Sequence, residues 1–182
     1  ALRRYPNLRY VSRTEIMNWA TNKTLEIPCA VSHQFPSGLD YYDKPLLPDG
    51  LFGIEYDSDG EKNFIFFLLE ADRHTEPVRR QDLKGTSYLR KVLQYREVVG
   101  KGLYKRHFGM KAGMLVLNVT TNPQHEREIR SMTEQVIGKP PYMLFTTVEL
   151  LDGYVDIPPV LYDLFEKGWH RAGLPDYIIP RA

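Results

Sequence analysis

Six consecutive apolar residues, Phe64 to Leu69, run from the turn sequence Ser58-Asp59-Gly60 to two acids, Glu70 and Asp72. Successive side chains of a strand point to opposite faces, so a strand apolar throughout must be covered on both sides. This segment therefore belongs at the centre of a sheet. The turn joins it to a second strand, Leu51 to Tyr56, and predicts an antiparallel hairpin. Asp49, in Pro48-Asp49-Gly50, stands where that second strand begins. The hairpin brings it beside the exit of the central strand, where Glu70 and Asp72, two residues apart, share a face.

The other elements follow from spacing and punctuation. Ser12 or Thr14 can cap a short helix reaching Ala20. Leu25 to Phe35 reads as a strand, and the stretch from Pro36 to Pro45 as a loop. A helix is expected from about Asp82 or Thr86 to Val99, then a continuously apolar strand over Met114 to Val119. Asn122-Pro123 opens a helix to about Ile137, with proline at a permitted early position. Tyr142 to Leu150 reads as a fifth strand. Val160 to Ala172 reads as a last helix, with Leu161, Leu164, Phe165 and Trp169 on one side. A hairpin followed by crossover helices predicts an α/β fold, with a mixed five-stranded sheet and helices on both faces.

At 182 residues the chain suits one domain, 1–182, and its 42% apolar content is enough for a core without disulfides. The single cysteine, Cys29, lies in an apolar run and reads as a small buried hydrophobe. One cysteine excludes an internal disulfide and fits a reducing compartment. No apolar stretch approaches the length of a membrane span. The chain opens Ala-Leu-Arg-Arg rather than with Met, as a fragment or processed product does. Net charge is only +1, yet Arg73 to Lys111 holds eleven Lys or Arg against three acids. Such a concentration is the footprint of a phosphate-facing surface, or of a solvated helix and loop.

Three acids at one sheet edge repel one another unless something neutralises them. A hard divalent cation, Mg²⁺ or Mn²⁺, does so economically, which makes Asp49, Glu70 and Asp72 candidate metal ligands. The alternative is structural: Pro-Asp-Gly is a favoured turn, and Glu70 and Asp72 can pair with Arg73, Arg79 or Arg80. His74, next to the acidic strand, is a lesser candidate for a contact to DNA or metal.

Pro48-Asp49-Gly50-x-Phe52, then Phe66-Phe-Leu-Leu-Glu70-Ala-Asp72-Arg73-His-Thr75-Glu76, then Lys91-x-x-x-Tyr95 resemble the plasmid replication-relaxation family. That family is similar to the MobC-type relaxases of mobilisable plasmids, and both resemble the PD-(D/E)XK nuclease superfamily. The resemblance runs from Trp19 to Leu151. It implies a restriction-endonuclease-like fold, with Asp49 as the first acid of the superfamily pattern and Glu70 as the second. It also makes Glu15 and Glu26 lesser candidates for the additional acid that some members of the superfamily supply from the first helix or its neighbourhood. Where the superfamily pattern has lysine two residues after the second acid, this chain has Asp72. Lys91, four residues from Tyr95 and on the same helix face, is the best substitute for that lysine, and Lys84 the next. Tyr95 is a supporting hydroxyl, a nucleophile or core.

The expectation that follows is a metal-dependent DNA endonuclease, a nicking relaxase acting at the origin of a plasmid or integrative element. Asp49, Glu70, Asp72 and Lys91 would form its catalytic set. Arg73, Arg79, Arg80, Lys84, Arg90, Tyr95, Lys101, Lys105 and Arg106 would face DNA. The resemblance further implies accessory proteins of a mobilisation or replication complex, a bacterial cytoplasm, no membrane, and a winged-helix domain ahead of this core. Two rivals stand beside it. One is a non-catalytic DNA-binding initiator, favoured by the absent lysine at position 72; the other is an interaction domain with an incidental acidic cluster.

Overall fold

The computed structural model describes residues 7–58, 60–73, 75–148 and 164–179. In chain order, β1 (Leu8–Val11) leads into α1 (Arg13–Trp19), and a hairpin follows, made of β2 (Val31–Phe35) and β3 (Gly38–Tyr42). Next come β4 (Gly50–Ser58), β5 (Glu61–Asp72), α2 (Tyr88–Tyr95) and α3 (Leu103–Phe108). The chain continues through β6 (Gly113–Thr120), α4 (Pro123–Ile137), β7 (Met143–Thr147), β8 (Trp169–Arg171) and β9 (Leu174–Tyr177).

The expected hairpin forms: β4 and β5 are antiparallel from Gly50 opposite Leu69 to Ser58 opposite Glu61. Through α2 and α3 the chain crosses over to β6, which lies parallel to β5, and α4 carries it to β7, parallel to β6. The sheet is mixed, with β5 inside it, but it has seven strands rather than five, ordered β1-β4-β5-β6-β7-β8-β9. One expected strand is not among them. Most of Leu25–Phe35 is irregular, and its end forms β2, which pairs only with β3 in a separate two-stranded sheet. The expected loop after it holds β3, because Pro36-Ser37 makes a two-residue turn closed by Phe35 opposite Gly38.

Alternation divides the core into two layers. Phe66, Leu68, Met114, Val116, Met143 and Phe145 meet Ile16, Leu89, Val92 and Ile129 from the helices. Ile54, Phe67, Leu117 and Leu144 meet Phe165, Trp169 and Ile179 on the other face. Helices α1 to α4 pack on the first face, and among the described residues the other face is covered by Phe165, Trp169 and Ile179. The helix expected over Val160–Ala172 lies partly on 160–163, Leu161 included, outside the described residues. Where the chain is described, Trp169–Arg171 and Leu174–Tyr177 form a hairpin instead. Gly173, at φ 62°, takes the left-handed turn position that a helix would not.

Local chemistry fixes the helix starts. Ser12 and Glu15 form a capping box: Ser12 Oγ accepts the Glu15 N–H at 3.2 Å, and Glu15 Oε2 accepts the Ser12 N–H at 3.1 Å. Asn122 Oδ1 accepts the N–H groups of Gln124 (2.8 Å) and His125 (3.0 Å), with Pro123 first in the helix. The helix expected to reach Val99 is regular to Tyr95, then widens into a π-turn over Arg96–Gly100. Cys29 is buried, as expected, where Sγ accepts from Gln94 Nε2 at 3.6 Å.

Candidate functional site

Glu70 and Asp72 follow Phe66 and Leu68 at intervals of two, so both point toward the layer that holds α2 and α4. Both are buried, Glu70 completely. Asp49 stands one residue before β4. Its N–H donates to Leu69 O at 3.0 Å, and its Oδ2 accepts the Ala71 N–H at 2.8 Å. These bonds hold an exposed Asp49 across the hairpin from Glu70.

α2 answers Glu70 with a stripe at spacings of three and four: Tyr88, Lys91 and Tyr95. Lys91 Nζ donates to Glu70 Oε2 at 2.5 Å and to Glu76 Oε1 at 2.9 Å. The Tyr95 hydroxyl donates to Glu70 Oε1 at 2.5 Å. Burial pushes the Glu70 carboxyl up to about 6; Lys91 and Tyr95 pull against that rise, and the Asp49 charge adds to it. For Lys91, burial opposes the charge, but Glu70 and Glu76 outweigh it and raise the ammonium above its ordinary value. Burial, then the Glu70 charge, raises the Tyr95 phenol well above its ordinary range. At neutral pH Tyr95 is thus a hydroxyl donor, not a phenolate.

Asp72 answers to a different element. Its Oδ2 meets His125 Nε2 at 2.8 Å, and its Oδ1 accepts from Thr75 N (2.9 Å) and Thr75 Oγ1 (3.0 Å). Burial alone would raise Asp72; the Thr75 N–H and the His125 ring hold it below the ordinary carboxylate value. The Asn122 cap places His125 in the first turn of α4, at the strand ends where β5 finishes.

Sequence reasoning passed over three groups here: Tyr88, Glu76 and His125. Tyr88 is buried and sits within the fields of Asp72, Glu70, Glu76 and Asp49, yet its hydroxyl has no hydrogen-bond partner among the described residues. Burial, then those charges, raises its pKa far above the ordinary value. Glu76 Oε2 is likewise buried without a partner. The spacing of 88, 91 and 95 was readable in the sequence. The place of His125 followed from the parallel β5–α2–β6–α4 order, which sets the α4 N-terminus at the carboxyl ends of the strands.

As a metal centre, the expected trio does not converge. Among the described residues no group of three or more His, Cys, Asp or Glu side chains is placed to hold one ion. Asp72 is committed to His125 and the 72–75 turn. Asp49 with Glu70 is a better fit, because Mg²⁺ commonly takes one or two carboxylates and keeps its other positions for water and phosphate. The elevated Glu70 value comes first from burial, with the Asp49 charge a lesser contribution. The partnerless oxygens of Tyr88 and Glu76 belong to the groups around Lys91.

The basic residues expected to face DNA divide into groups. Arg73, Arg79, Arg80 and Lys84 are exposed on the segment leaving β5. Arg90 is used inside the fold: Nη1 donates to Lys84 O at 3.1 Å, and the guanidinium lies 4.4 Å from the Tyr42 ring centre. Lys101 pairs with Glu97 at 2.6 Å. Lys105 and Arg106 are exposed on α3, whose end bonds Thr21 and Asn22 near the start of β5, about 20 Å along the strand from Glu70. Of the lesser candidates, Glu15 caps α1 and pairs with Arg9, Glu26 is exposed on the irregular stretch before β2, and His74 is outside the described residues. No protein-family model, curated protein or solved structure matches the chain.

Proposed function

We propose that this chain is a DNA endonuclease that nicks duplex DNA at a plasmid or element origin, with Mg²⁺ or Mn²⁺ held by Asp49 and Glu70. The observation that carries the reading is the Lys91 ammonium, 2.5 Å from Glu70 although it comes from α2 rather than from β5. A nuclease site at a strand end needs a cation beside its acids to meet charge developing on phosphate, and Lys91 supplies it from the helix. Tyr95 fixes the rotamer of Glu70 from below. The Asp72–His125 pair fixes the end of β5 and the approach of α4. A divalent ion bound there would polarise the scissile phosphate and lower the pKa of an attacking water. Arg73, exposed directly after Asp72, and Lys84, exposed farther along the segment leaving β5, would meet the DNA backbone.

A second reading has an observation of its own. Both oxygens of Glu70 already accept from protein donors. A DNA-binding replication initiator or accessory protein, with a nuclease-like core that does not cleave, would look the same.

Supercoiled plasmid carrying a cognate origin separates the two. Metal-dependent conversion to open circle, abolished in Asp49→Ala, supports the endonuclease. Binding without conversion in either metal supports the initiator.

A further inference from the structure

We propose that the cleft between the β2–β3 hairpin and the 77–87 segment is a phosphate-binding site, built by His33, Arg79 and Arg80, that holds a nucleic-acid strand on the outer side of α4. The inference rests on the endonuclease reading for its ligand, and on its own geometry for the site. The cleft encloses about 530 Å³, and its polar lining is His33, Gln34, Ser37, Arg79, Arg80 and Gln81, with no acid among the lining residues.

The two arginines are held in place by neutral partners. Arg79 Nη2 donates to Gln135 Oε1 at 2.7 Å, and Arg80 Nε donates to the Thr86 carbonyl at 2.8 Å. No ion pair among the described residues includes either one, so their charge is uncompensated. Gly85 makes room for Arg80: a Cβ there would stand 2.6 Å from Arg80 Cδ. Burial, and then the positive fields of Arg79 and Arg96, lower the His33 pKa. A concave, cationic cleft with amide and hydroxyl groups and no carboxylate suits a phosphate oxyanion.

The cleft also leads to the candidate site. Arg79 forms part of the wall of a second hollow of about 460 Å³, bordered by Gln124, Arg127, Ser131 and Gln135, with Glu128 as its one acid. Gln124 adjoins His125, which contacts Asp72. A strand seated on His33, Arg79 and Arg80 would run along α4 from Gln135 to Gln124, whose neighbour His125 meets Asp72 at the end of β5.

The test uses the whole chain without divalent metal. Histidine-resolved NMR follows His33 during titration with inorganic phosphate in one arm and a short oligothymidylate in the other. The inference expects the His33 signals to move in both arms, with the oligonucleotide binding at least tenfold tighter. Arg79→Gln/Arg80→Gln should weaken oligonucleotide binding at least tenfold, and Gly85→Ala should weaken it through Arg80 alone. A still His33, or native affinity in the double variant, overturns the site. Equal affinity for free phosphate and oligonucleotide overturns the strand as its ligand. Nicking in the separate plasmid assay with Mg²⁺ or Mn²⁺, without a His33 response here, removes this inference and spares the endonuclease; a His33 response here with no nicking in that assay does the reverse.

Discussion

Glu70 is where the account is most exposed at the scale of single residues. Its folded carboxyl titrates near 6, against an ordinary 4.5. Between those values the folded state binds more protons than the unfolded, so this group's contribution to stability falls as pH rises through the interval. The whole interval corresponds to about 2 kcal/mol. Glu70→Gln lacks the titration. Urea unfolding at pH 4.5 and at pH 7 should therefore show the variant gaining about 2 kcal/mol on the native chain at the higher pH. Tyr95→Phe keeps the ring and removes the donor, leaving a buried carboxylate oxygen unpaired. A loss of about 1–3 kcal/mol is expected in the same measurement. The sequence put Glu70 and Lys91 in one candidate site, with Lys91 as a cation for phosphate, but the partners it offered Glu70 were Arg73, Arg79 or Arg80 rather than Lys91. It did not reveal that Asp72 serves His125, since that pairing depends on how far α4 reaches over the sheet.

Among the elements, those with strong local signals were readable and those held by distant contacts were not. The Ser12 box, the Asn122 cap and the apolar β5 run each specify their own structure. The β2–β3 hairpin was hidden because Leu39 and Tyr41 remain exposed and offer no burial pattern. Trp169 sits on the far face of the sheet with Phe67 and Leu144, and that packing overrides a helical spacing. The α4 cap carries an expectation of its own. Asn122→Ala should cost about 1 kcal/mol of stability. It should also loosen His125 from Asp72, visible as a shifted imidazole resonance. An unchanged His125 signal would separate the cap from the dyad.

For the whole molecule, the basic segment read from the sequence proves to be spatially split. Arg73 follows Asp72 directly, Arg79 reaches along α4 to Gln135, and Lys105 and Arg106 lie on the helix that ends against the start of β5. Charge counting finds such residues but cannot assign them to ends, because α2, its π-turn and α3 carry the chain back along the sheet. Arg73→Gln/Lys84→Gln should lower the slope of log affinity for duplex DNA against log salt by about 2. Lys105→Gln/Arg106→Gln should leave that slope as it is. Equal effects from the two pairs would place DNA across the whole face rather than at the acid end.

The most direct measurement is the single-turnover nicking rate of supercoiled origin plasmid by the native chain and by Glu70→Gln and Lys91→Met, with folding matched by circular dichroism. The account predicts metal-dependent nicking by the native chain and a loss of at least about 100-fold in each variant, since removing one charge-stabilising group from such a site costs about that much. Native-rate nicking by Lys91→Met would contradict it.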